Sequence, residues 1–234
     1  MQTYCIILAA GNSKRFSDNE DKLFSSINGA PLIFFTLTNI LKVFDKNKIL
    51  IVINKTLSKK NQSFLKEFTE NELIYGGKSR FKSLKNAIKF FENDVNLLIH
   101  DAARPNIKKD LIKKIKNEIE NINVYSVIPY TLISDTLKNK KFNKYHSVKR
   151  SQFINTQTPQ ALKLDKFSKR IISSTQTDFT DESEIFDKSN LRIKYLLGSR
   201  ANIKVTNKDD LSIIKNLLGH SIKIGNAFDI HRIS

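Results

Sequence analysis

The sequence predicts an α/β protein with a mostly parallel sheet that is covered by helices on both faces. Short apolar, β-branched segments alternate along the chain with longer segments of helical periodicity, which is the pattern of repeated strand and helix units. Small and charged residues directly follow several of the apolar segments. In such sheets, ligands bind beyond the carboxyl ends of the strands, so we expect one edge of the sheet to carry the functional residues.

The predicted strands are the short apolar segments, which are rich in Ile, Leu and Val and are bounded by polar or small residues. The first of them ends at Ala9, Ala10 and Gly11. The strand candidates are residues 4–8, 49–53, 73–75, 97–100 and 124–129.

Between the strands, apolar residues recur at the three- and four-residue spacing of a helix face. Pro31 suits the first turn of a helix, because its missing N–H would have no intrahelical partner there. The helix candidates are residues 31–44, 57–68, 80–91, 109–119, 164–172, 181–186 and 208–218.

The composition is that of a globular protein, because 40% of the 234 residues are hydrophobic and these are spread along the chain. The length fits one α/β domain better than two. No apolar run approaches the roughly 20 residues of a membrane-spanning helix, so no membrane partner is predicted. The single cysteine, Cys5, excludes a disulfide framework and fits a cytoplasmic protein in which it is a small core residue.

The formal charge of +17 would attract any polyanion, so a nucleic-acid-binding protein is one function class to consider. Such proteins usually gather their cations in one stripe with interleaved aromatic residues. Here the lysines are scattered over several segments, including Lys108, Lys113 and residues 138–141. This pattern favours a solvated surface, which could steer anionic substrates, over a specific nucleic-acid site.

The loop after the first strand is the most informative segment. Residues 8–15 read Leu-Ala-Ala-Gly-Asn-Ser-Lys-Arg, and Lys22 follows. Small residues let backbone N–H groups approach phosphate oxygens closely, while Arg15 and Lys22 supply charge that the amides cannot. The spacing is neither that of a P-loop nor that of a dinucleotide-binding fingerprint. The segment predicts a triphosphate site, although taken alone it is also compatible with a buried strand and a polar surface loop.

Three further segments combine small, polar and charged residues. Residues 76–80 read Gly-Gly-Lys-Ser-Arg, residues 100–105 read His-Asp-Ala-Ala-Arg-Pro, and residues 201–206 read Ala-Asn-Ile-Lys-Val-Thr. The glycine pair would let the backbone approach a nucleobase. It is equally compatible with a strand-to-helix turn in which Gly77 supplies an unusual dihedral angle and Ser79 caps the helix.

Taken in this order, the four segments resemble the 2-C-methyl-D-erythritol 4-phosphate cytidylyltransferase family. The resemblance extends from about residue 3 to residue 218, and residues 100–105 together with 202–206 are its most specific part. It implies a Rossmann-like nucleotidyltransferase domain over residues 1–220. It also implies transfer of CMP from CTP to 2-C-methyl-D-erythritol 4-phosphate, giving 4-diphosphocytidyl-2-C-methyl-D-erythritol and pyrophosphate, with Mg²⁺ as the cofactor.

The acceptor phosphate in this reaction is already an anionic nucleophile, so the expected machinery is positioned cations rather than a general base. The resemblance implies that Arg15, Lys22 and Lys204 are these catalytic cations. Considered singly, Lys22 could be one more solvated lysine and Lys204 the outward residue of a strand. The nucleotide-binding residues implied by the resemblance are Ala10, Gly11, Gly76, Gly77, Ser83 and Asp101.

Three residues near the nucleotide leave alternatives open. Asp101 could hold the ribose or the hydrated Mg²⁺ that accompanies CTP. Arg104 has a guanidinium fork suited to phosphate, but it could equally pair with a nearby carboxylate and fix the loop. Lys78 stands where an acidic or small residue is common in the family, which leaves the base contacts open.

Residues 134–155 interrupt the alternation, because they are polar, lysine-rich and without a helical face. By resemblance they are an extended β-arm that embraces a second subunit of a homodimer, and the sequence alone would also permit a mobile loop. A strand end before proline and a surface cation are the structural alternatives for Thr158 and Arg150. The acceptor-binding residues implied by the resemblance are Arg104, Thr158 and, from the partner's arm, Thr136 and Arg150.

Residues 221–234 do not belong to the cytidylyltransferase pattern. They resemble the first strand of 2-C-methyl-D-erythritol 2,4-cyclodiphosphate synthase, in which an Asp-x-His pair supplies metal ligands. Asp229 and His231 match that pair, and their spacing places both on one face of a strand. We interpret the chain as the first module of a fusion of the two enzymes, the alternative being a coincidental polar tail. Two ligands alone cannot form that second active site, so no zinc is predicted here.

Two other functions are compatible with parts of the sequence. A cytidylyltransferase for another polyol phosphate, such as ribitol 5-phosphate, would share the nucleotide half of the site. A basic nucleic-acid-binding protein would instead use the positive field.

Overall fold

The computed structural model describes residues 1–11, 21–175, 181–186 and 191–219. Its strands are β1 (Thr3–Ala9), β2 (Ser26–Ile27), β3 (Ala30–Pro31), β4 (Ile49–Ile53), β5 (Ile74–Tyr75), β6 (Val95–Asp101), β7 (Ser126–Leu132), β8 (Lys138–Lys141), β9 (Lys144–Ser147), β10 (Ile154–Thr156), β11 (Gln160–Leu164) and β12 (Ile193–Leu197). Its α-helices are α1 (Leu32–Leu41), α2 (Lys59–Lys66), α3 (Arg80–Ile88), α4 (Lys109–Glu120), α5 (Lys166–Ser174) and α6 (Lys208–Gly219). Short 3₁₀ helices cover Lys22–Phe24, Lys46–Lys48, Arg150–Gln152 and Glu182–Ile185.

Eight strands form the central sheet in the order β10-β7-β11-β6-β1-β4-β5, with β12 paired to β7. Strands β6, β1, β4 and β5 run parallel to one another, and β12 is parallel to β7. Strand β11 runs antiparallel to both β6 and β7, and β10 runs antiparallel to β7. The prediction of a mostly parallel sheet in an α/β fold is confirmed.

Helices cover both faces of this sheet. Buried side chains of α1, α2, α4 and α6 pack on one face, and those of α3 and α5 pack on the other. Strand β4 contributes side chains to the cores on both faces. Ile51 packs with the helices of the first face, whereas its neighbours Leu50 and Val52 pack with those of the second. A strand that is buried on both faces reads as a continuous apolar run, which is why the sequence identified it.

The predicted elements differ from the structure in three respects. The strands β2, β3, β10, β11 and β12 were not predicted. Of these, β10, β11 and β12 belong to the central sheet and carry charged or polar residues that interrupt the apolar pattern. Lys163 in β11, for example, is buried and donates from Nζ to the carbonyls of Asn121 and Ile122, at 2.7 and 2.6 Å. The helix predicted at 181–186 is a 3₁₀ helix instead, and Pro31 precedes α1 as its N-cap rather than lying in the first turn.

The segment predicted to be an arm contains a β-hairpin. Strands β8 and β9 pair from Lys138 with Ser147 to Lys141 with Lys144, and all eight of their residues are exposed. The turn residues Phe142 and Asn143 have φ angles of 48° and 59°. A two-residue hairpin loop with a type I′ turn requires such positive φ angles at both positions. The role of this hairpin in dimerisation stays a prediction.

Among the helices of the described residues, none combines the length and the apolar character that crossing a bilayer would require.

Candidate active site

A cavity of about 320 Å³ lies at the carboxyl edge of the parallel strands. It is bounded by the residues that follow β1 and β5 and by the last residue of β6, as the strand and helix alternation predicts. The predicted site residues that line it are Ala10, Gly11, Lys22, Gly77, Ser83, Asp101 and Lys204. Arg15 lies outside the described residues, so of the three predicted catalytic cations the structure brings together Lys22 and Lys204.

The glycine pair forms a tightly packed corner of the cavity. A Cβ atom on Gly76 would lie 2.3 Å from the Cβ of Ala10, and one on Gly77 would lie 2.4 Å from the Cβ of Lys82. The φ angle of Gly77 is not positive, so the expectation of an unusual dihedral angle was wrong. Glycine is required here because neighbouring chain segments approach too closely for a side chain.

The segment that follows the glycines is a capped helix start. The Ser79 hydroxyl accepts a hydrogen bond from the backbone N–H of Lys82 at 3.1 Å, as an N-cap of α3 should. Ser83 is buried, donates to the Ser79 carbonyl at 2.9 Å and accepts from the Gly77 N–H at 3.1 Å. In this structure Ser83 therefore holds the glycine loop in place, while its predicted contact with the nucleotide stays a prediction.

Asp101 is the centre of a cluster of charges at the floor of the cavity. Its Oδ2 lies 2.8 Å from Lys204 Nζ and 3.7 Å from Arg104 Nε, and its Oδ1 lies 3.2 Å from Arg80 Nε. Burial by itself would raise the pKa of this carboxyl, but the surrounding cations, Arg80 first among them, hold it well below its usual range. Asp101 is therefore a permanent anion that anchors cations around the cavity.

The loop that carries Lys204 has no regular secondary structure and is held by hydrogen bonds to other segments. The Arg104 guanidinium donates to the Asn202 carbonyl at 2.8 Å, and the Val205 N–H donates to the Ala103 carbonyl at 2.9 Å. The Asn202 side-chain amide in turn donates to the Thr158 carbonyl at 2.9 Å. These bonds fix the segment on both sides of Lys204.

Lys22 is presented by the first turn of a 3₁₀ helix. The Asp21 carboxylate caps this turn by accepting from the Leu23 N–H at 3.1 Å. Lys22 and Lys204 thus come from two segments far apart in sequence and line the same cavity. The alternative of two unrelated surface lysines does not describe this arrangement.

The predicted acceptor-binding residues lie apart from this cavity. Arg104 lines a second cavity of about 300 Å³ together with Ser134, Asp135 and Arg200, which adjoins the base of the arm. Thr136 and Arg150 are exposed in the arm segment, where Arg150 donates to the Ser134 carbonyl. This single chain does not bring them to Lys22 or Lys204.

Thr158 is buried beneath the cavity rather than facing it. Its Oγ1 accepts from the Asp101 N–H at 3.0 Å and lies 3.0 Å from His100 Nδ1. The structure therefore gives Thr158 a positioning role that the sequence did not predict, and its contact with the acceptor stays a prediction.

Sequence reasoning missed two residues that the structure places in the site. Arg80 lines the cavity and contacts Asp101, and Gln157 donates from its amide to the Ser199 carbonyl at 2.8 Å, which braces the loop before Lys204. Arg80 was detectable, since it ends the Gly-Gly-Lys-Ser-Arg segment. Nothing in the local sequence marks Gln157.

The prediction that Asp101 is a direct magnesium ligand does not fit this geometry. Both of its carboxylate oxygens already contact cations, at 3.2 Å for Arg80 and 2.8 Å for Lys204. Mg²⁺ in such sites keeps several waters and takes ligands from the substrate phosphates, so it does not depend on this carboxylate. Over the described ranges, no three His, Cys, Asp or Glu side chains lie together as a metal site.

Comparison with known proteins gives the same assignment as the four segments. The model of the 2-C-methyl-D-erythritol 4-phosphate cytidylyltransferase family matches residues 3–220. A protein of that name from Thermosipho africanus is 35% identical over 221 residues, which are 89% of this chain and 95% of the relative. The bifunctional enzyme IspD/IspF of Pelagibacter ubique is 36% identical over 238 residues, covering 100% of this chain. This chain spans 61% of the length of that bifunctional relative.

Solved structures of related proteins have the same fold as this chain. The bifunctional IspDF from Campylobacter jejuni is 27% identical and matches 91% of this chain and 54% of its own, with a TM-score of 0.74. The fold is also that of the 2-C-methyl-D-erythritol 4-phosphate cytidylyltransferase from Thermus thermophilus, which is 20% identical, with a TM-score of 0.75 over 94% of this chain and 100% of that one. The cavity between Lys22 and Lys204 and the family match over residues 3–220 lead to one assignment. The chain belongs to the 2-C-methyl-D-erythritol 4-phosphate cytidylyltransferase family.

Proposed function

We propose that this chain transfers CMP from CTP to 2-C-methyl-D-erythritol 4-phosphate, giving 4-diphosphocytidyl-2-C-methyl-D-erythritol and pyrophosphate. The observation that carries the proposal is the cavity in which Lys22 and Lys204 face a common space beside the glycine corner. A nucleoside triphosphate needs such a space, because it combines a planar base with a chain of anionic phosphates. The family match does not favour the two alternatives, a ribitol 5-phosphate enzyme and a nucleic-acid-binding protein.

In this reaction an oxygen of the acceptor phosphate bonds to the α-phosphorus while the bond to the β-phosphate oxygen breaks and pyrophosphate leaves. No proton has to be removed from the nucleophile, so the barrier is mainly electrostatic. Lys22 and Lys204 would neutralise the charge that develops on the oxygens of the α-phosphorus and on the leaving group. Asp101 contributes by holding the Lys204 ammonium in the cavity, 2.8 Å from its own Oδ2.

The glycine corner would accommodate the nucleotide base. Gly77 lines the cavity, and the Ser83 hydroxyl keeps the glycine loop in one conformation. Base selection follows when fixed donors and acceptors leave a wrong base unpaired. We expect cytosine to be preferred for this reason.

The acceptor would approach from the side of Arg104, which lines the second cavity and whose Nε lies 3.7 Å from Asp101 of the first one. Thr136 and Arg150 would reach this side from the arm of a second subunit, so the proposed active unit is a homodimer. We propose Mg²⁺ as the cofactor, carried by the phosphate oxygens of CTP rather than by Asp101. A cytoplasmic location is proposed from the absence of disulfide-forming cysteine pairs in the sequence.

The experiment is a pyrophosphate-release assay with CTP, UTP and ATP against 2-C-methyl-D-erythritol 4-phosphate and ribitol 5-phosphate. We expect turnover with CTP and the methylerythritol acceptor. Lys22→Ala and Lys204→Ala should each lower kcat by about 10²-fold or more while changing CTP binding much less, because they act on charge developed in the transition state. Lys113→Ala, which removes an exposed lysine of α4, is the charge-matched control. Turnover of ribitol 5-phosphate alone, or full activity of either variant, would overturn the proposal.

We further propose that the chain is the cytidylyltransferase part of a bifunctional protein. Support comes from the Pelagibacter relative, whose alignment covers 100% of this chain and so includes the segment that resembles the start of a cyclodiphosphate synthase. Asp229 and His231 lie outside the described residues. Sequencing the gene beyond the codon for Ser234 tests the proposal, and a stop codon without a following synthase reading frame would refute it.

A further inference from the structure

His100 is a buried polar side chain that the proposed reaction does not use. It is the penultimate residue of β6, is 0% exposed, and shares a sheet face with Leu98 of the core. Burial lowers the pKa of His100 to about 4, so the ring is neutral near pH 7. A neutral histidine without contact to solvent or substrate suggests a role in fixing its neighbours.

The hydrogen atoms of its network can be assigned from the partners alone. His100 Nε2 lies 3.1 Å from the carbonyl oxygen of Arg104, which can only accept, so Nε2 carries the hydrogen. In a neutral ring Nδ1 is then an acceptor, and the Thr158 hydroxyl, 3.0 Å away, must donate to it. The same hydroxyl oxygen accepts from the Asp101 N–H at 3.0 Å. Every hydrogen in this chain of bonds has one possible position.

This network braces both ends of one tight turn. The Arg104 N–H donates to the Asp101 carbonyl at 3.0 Å, which closes a turn over residues 101–104. Thr158 holds the N–H at the start of the turn, and His100 holds the carbonyl at its end. The turn is also held at Ala102, whose N–H donates to the Leu8 carbonyl at 3.1 Å and whose carbonyl accepts from the Thr36 hydroxyl at 2.7 Å. His100 adds the bond at the Arg104 end and orients the Thr158 hydroxyl at the Asp101 end.

The braced turn in turn sets the position of Lys204. Asp101, at its first position, contacts Lys204 Nζ at 2.8 Å, and Arg104, at its last position, donates to the Asn202 carbonyl in the Lys204 loop at 2.8 Å. Both contacts would move if the turn rotated. A displacement of about 1 Å at a catalytic cation is enough to cost up to about 10²-fold in rate.

We propose that His100 is a positioning residue for cytidylyl transfer, which acts through the 101–104 turn to hold Lys204 against the α-phosphate. This inference rests on the proposed function. His100 is not a catalytic residue, because it touches neither substrate nor cavity. Its Nδ1 bonds the Thr158 hydroxyl, and its Nε2 bonds the Arg104 carbonyl.

The kinetic test is a double-mutant cycle in the full chain. His100→Phe should lower kcat by about 10-fold to 10²-fold with little change in the KM for CTP, and should cost less than about 3-fold in a Lys204→Ala background. His100→Gln and His100→Asn each keep one of the two bonds, so their kcat should lie between those of the wild type and His100→Phe. These two variants keep the test possible if the His100→Phe protein fails to fold. Ser126→Ala, which removes a buried hydroxyl bonded to the Ala161 carbonyl at 2.9 Å, should keep the wild-type kcat. Equal losses in both backgrounds, or an unchanged kcat in His100→Phe, would overturn the proposal.

A second measurement does not depend on turnover. Nitrogen-15 NMR of histidine-labelled protein should show His100 as the neutral Nε2–H form between about pH 5 and about pH 8, when a solvated histidine would titrate. Thr158→Val should shift the Nδ1 resonance, and Ser126→Ala should not. An Nδ1–H tautomer, or a ring that titrates like a solvated histidine, would refute the network. A wild-type protein with this spectrum but without CTP turnover would instead refute the proposed function.

Discussion

The charge cluster at Asp101 makes a quantitative prediction for Asp101→Asn. The substitution keeps the shape of the side chain but leaves Arg80, Arg104 and Lys204 around a neutral amide. Removing one partner of a buried ion pair costs about 3–5 kcal/mol, because the remaining charge is uncompensated. Here the Asp101 side chain is 9% exposed, but those of Arg80 and Lys204 are 24% and 39% exposed. Solvent screens them in part, so we expect a loss of about 2–3 kcal/mol in the free energy of unfolding near pH 7.

The same cluster fixes the sign of the pH dependence. The pKa of Asp101 is lower in the folded protein than in the unfolded chain. Its stabilising contribution is therefore complete above the ordinary aspartate pKa of about 3.9, and it is lost as the pH falls toward the folded pKa. Below about pH 3.9 the loss approaches about 1.4 kcal/mol per pH unit, so the difference between wild type and Asp101→Asn should shrink by about 1 kcal/mol between about pH 5 and about pH 3.

Urea unfolding of both proteins at several pH values measures this difference directly. The control is Asp94→Asn, because Asp94 is 49% exposed in its side chain and lies 3.9 Å from Lys169. Its effect should stay within about 0.5 kcal/mol at all pH values. A stability difference between wild type and Asp101→Asn that is independent of pH would refute the assignment of Asp101 as the buried anion of the site.

Two further predictions follow from the cavity and the arm. Gly76→Ala should lower the free energy of unfolding by about 1–3 kcal/mol, since its Cβ would lie 2.3 Å from that of Ala10. Gly11→Ala, whose Cβ would meet no atom of the described residues within 4 Å, should be neutral in the same urea titration. A Gly76→Ala protein as stable as the wild type would contradict the close packing. Arg150→Ala and Lys22→Ala should each be inactive, but mixed subunits should recover about a quarter of wild-type turnover, because half of the dimers are hybrids with one intact composite site. Absence of any recovery after subunit exchange would contradict the composite dimer.

The fold was predictable where burial alone shapes the sequence. Strand β4 is apolar at every position because helices cover both of its sides, and the loops after β1 and β5 show their small residues in the primary sequence. Strand β11 was missed because its lysine is buried through bonds to the carbonyls at the end of α4. Such a bond depends on a segment about 40 residues away, which no local pattern records.

The site was predictable as a set of segments but not as a set of contacts. The sequence identified Asp101 and Lys204 but could not show that one holds the other, because the two lie about 100 residues apart. It interpreted Thr158 as a substrate contact, whereas the structure directs the hydroxyl to His100 and to the Asp101 N–H. Direction of a side chain is decided by packing, and packing depends on the whole fold.

The Ala-Asn-Ile-Lys-Val-Thr segment shows why the proposed catalytic lysine, on an irregular loop, needs fixed neighbours. Lysine has a long flexible side chain, and a cation that can leave the cavity does not stabilise a transition state. Asn202 and Val205 anchor the backbone on either side, and the Val205 side chain is fully buried. Thr206 and Asn207 then bond the Asp210 carboxylate at the start of α6, so the loop ends in a rigid helix cap. With its backbone fixed in this way, Lys204 lines the cavity, and Asp101 contacts its ammonium at 2.8 Å.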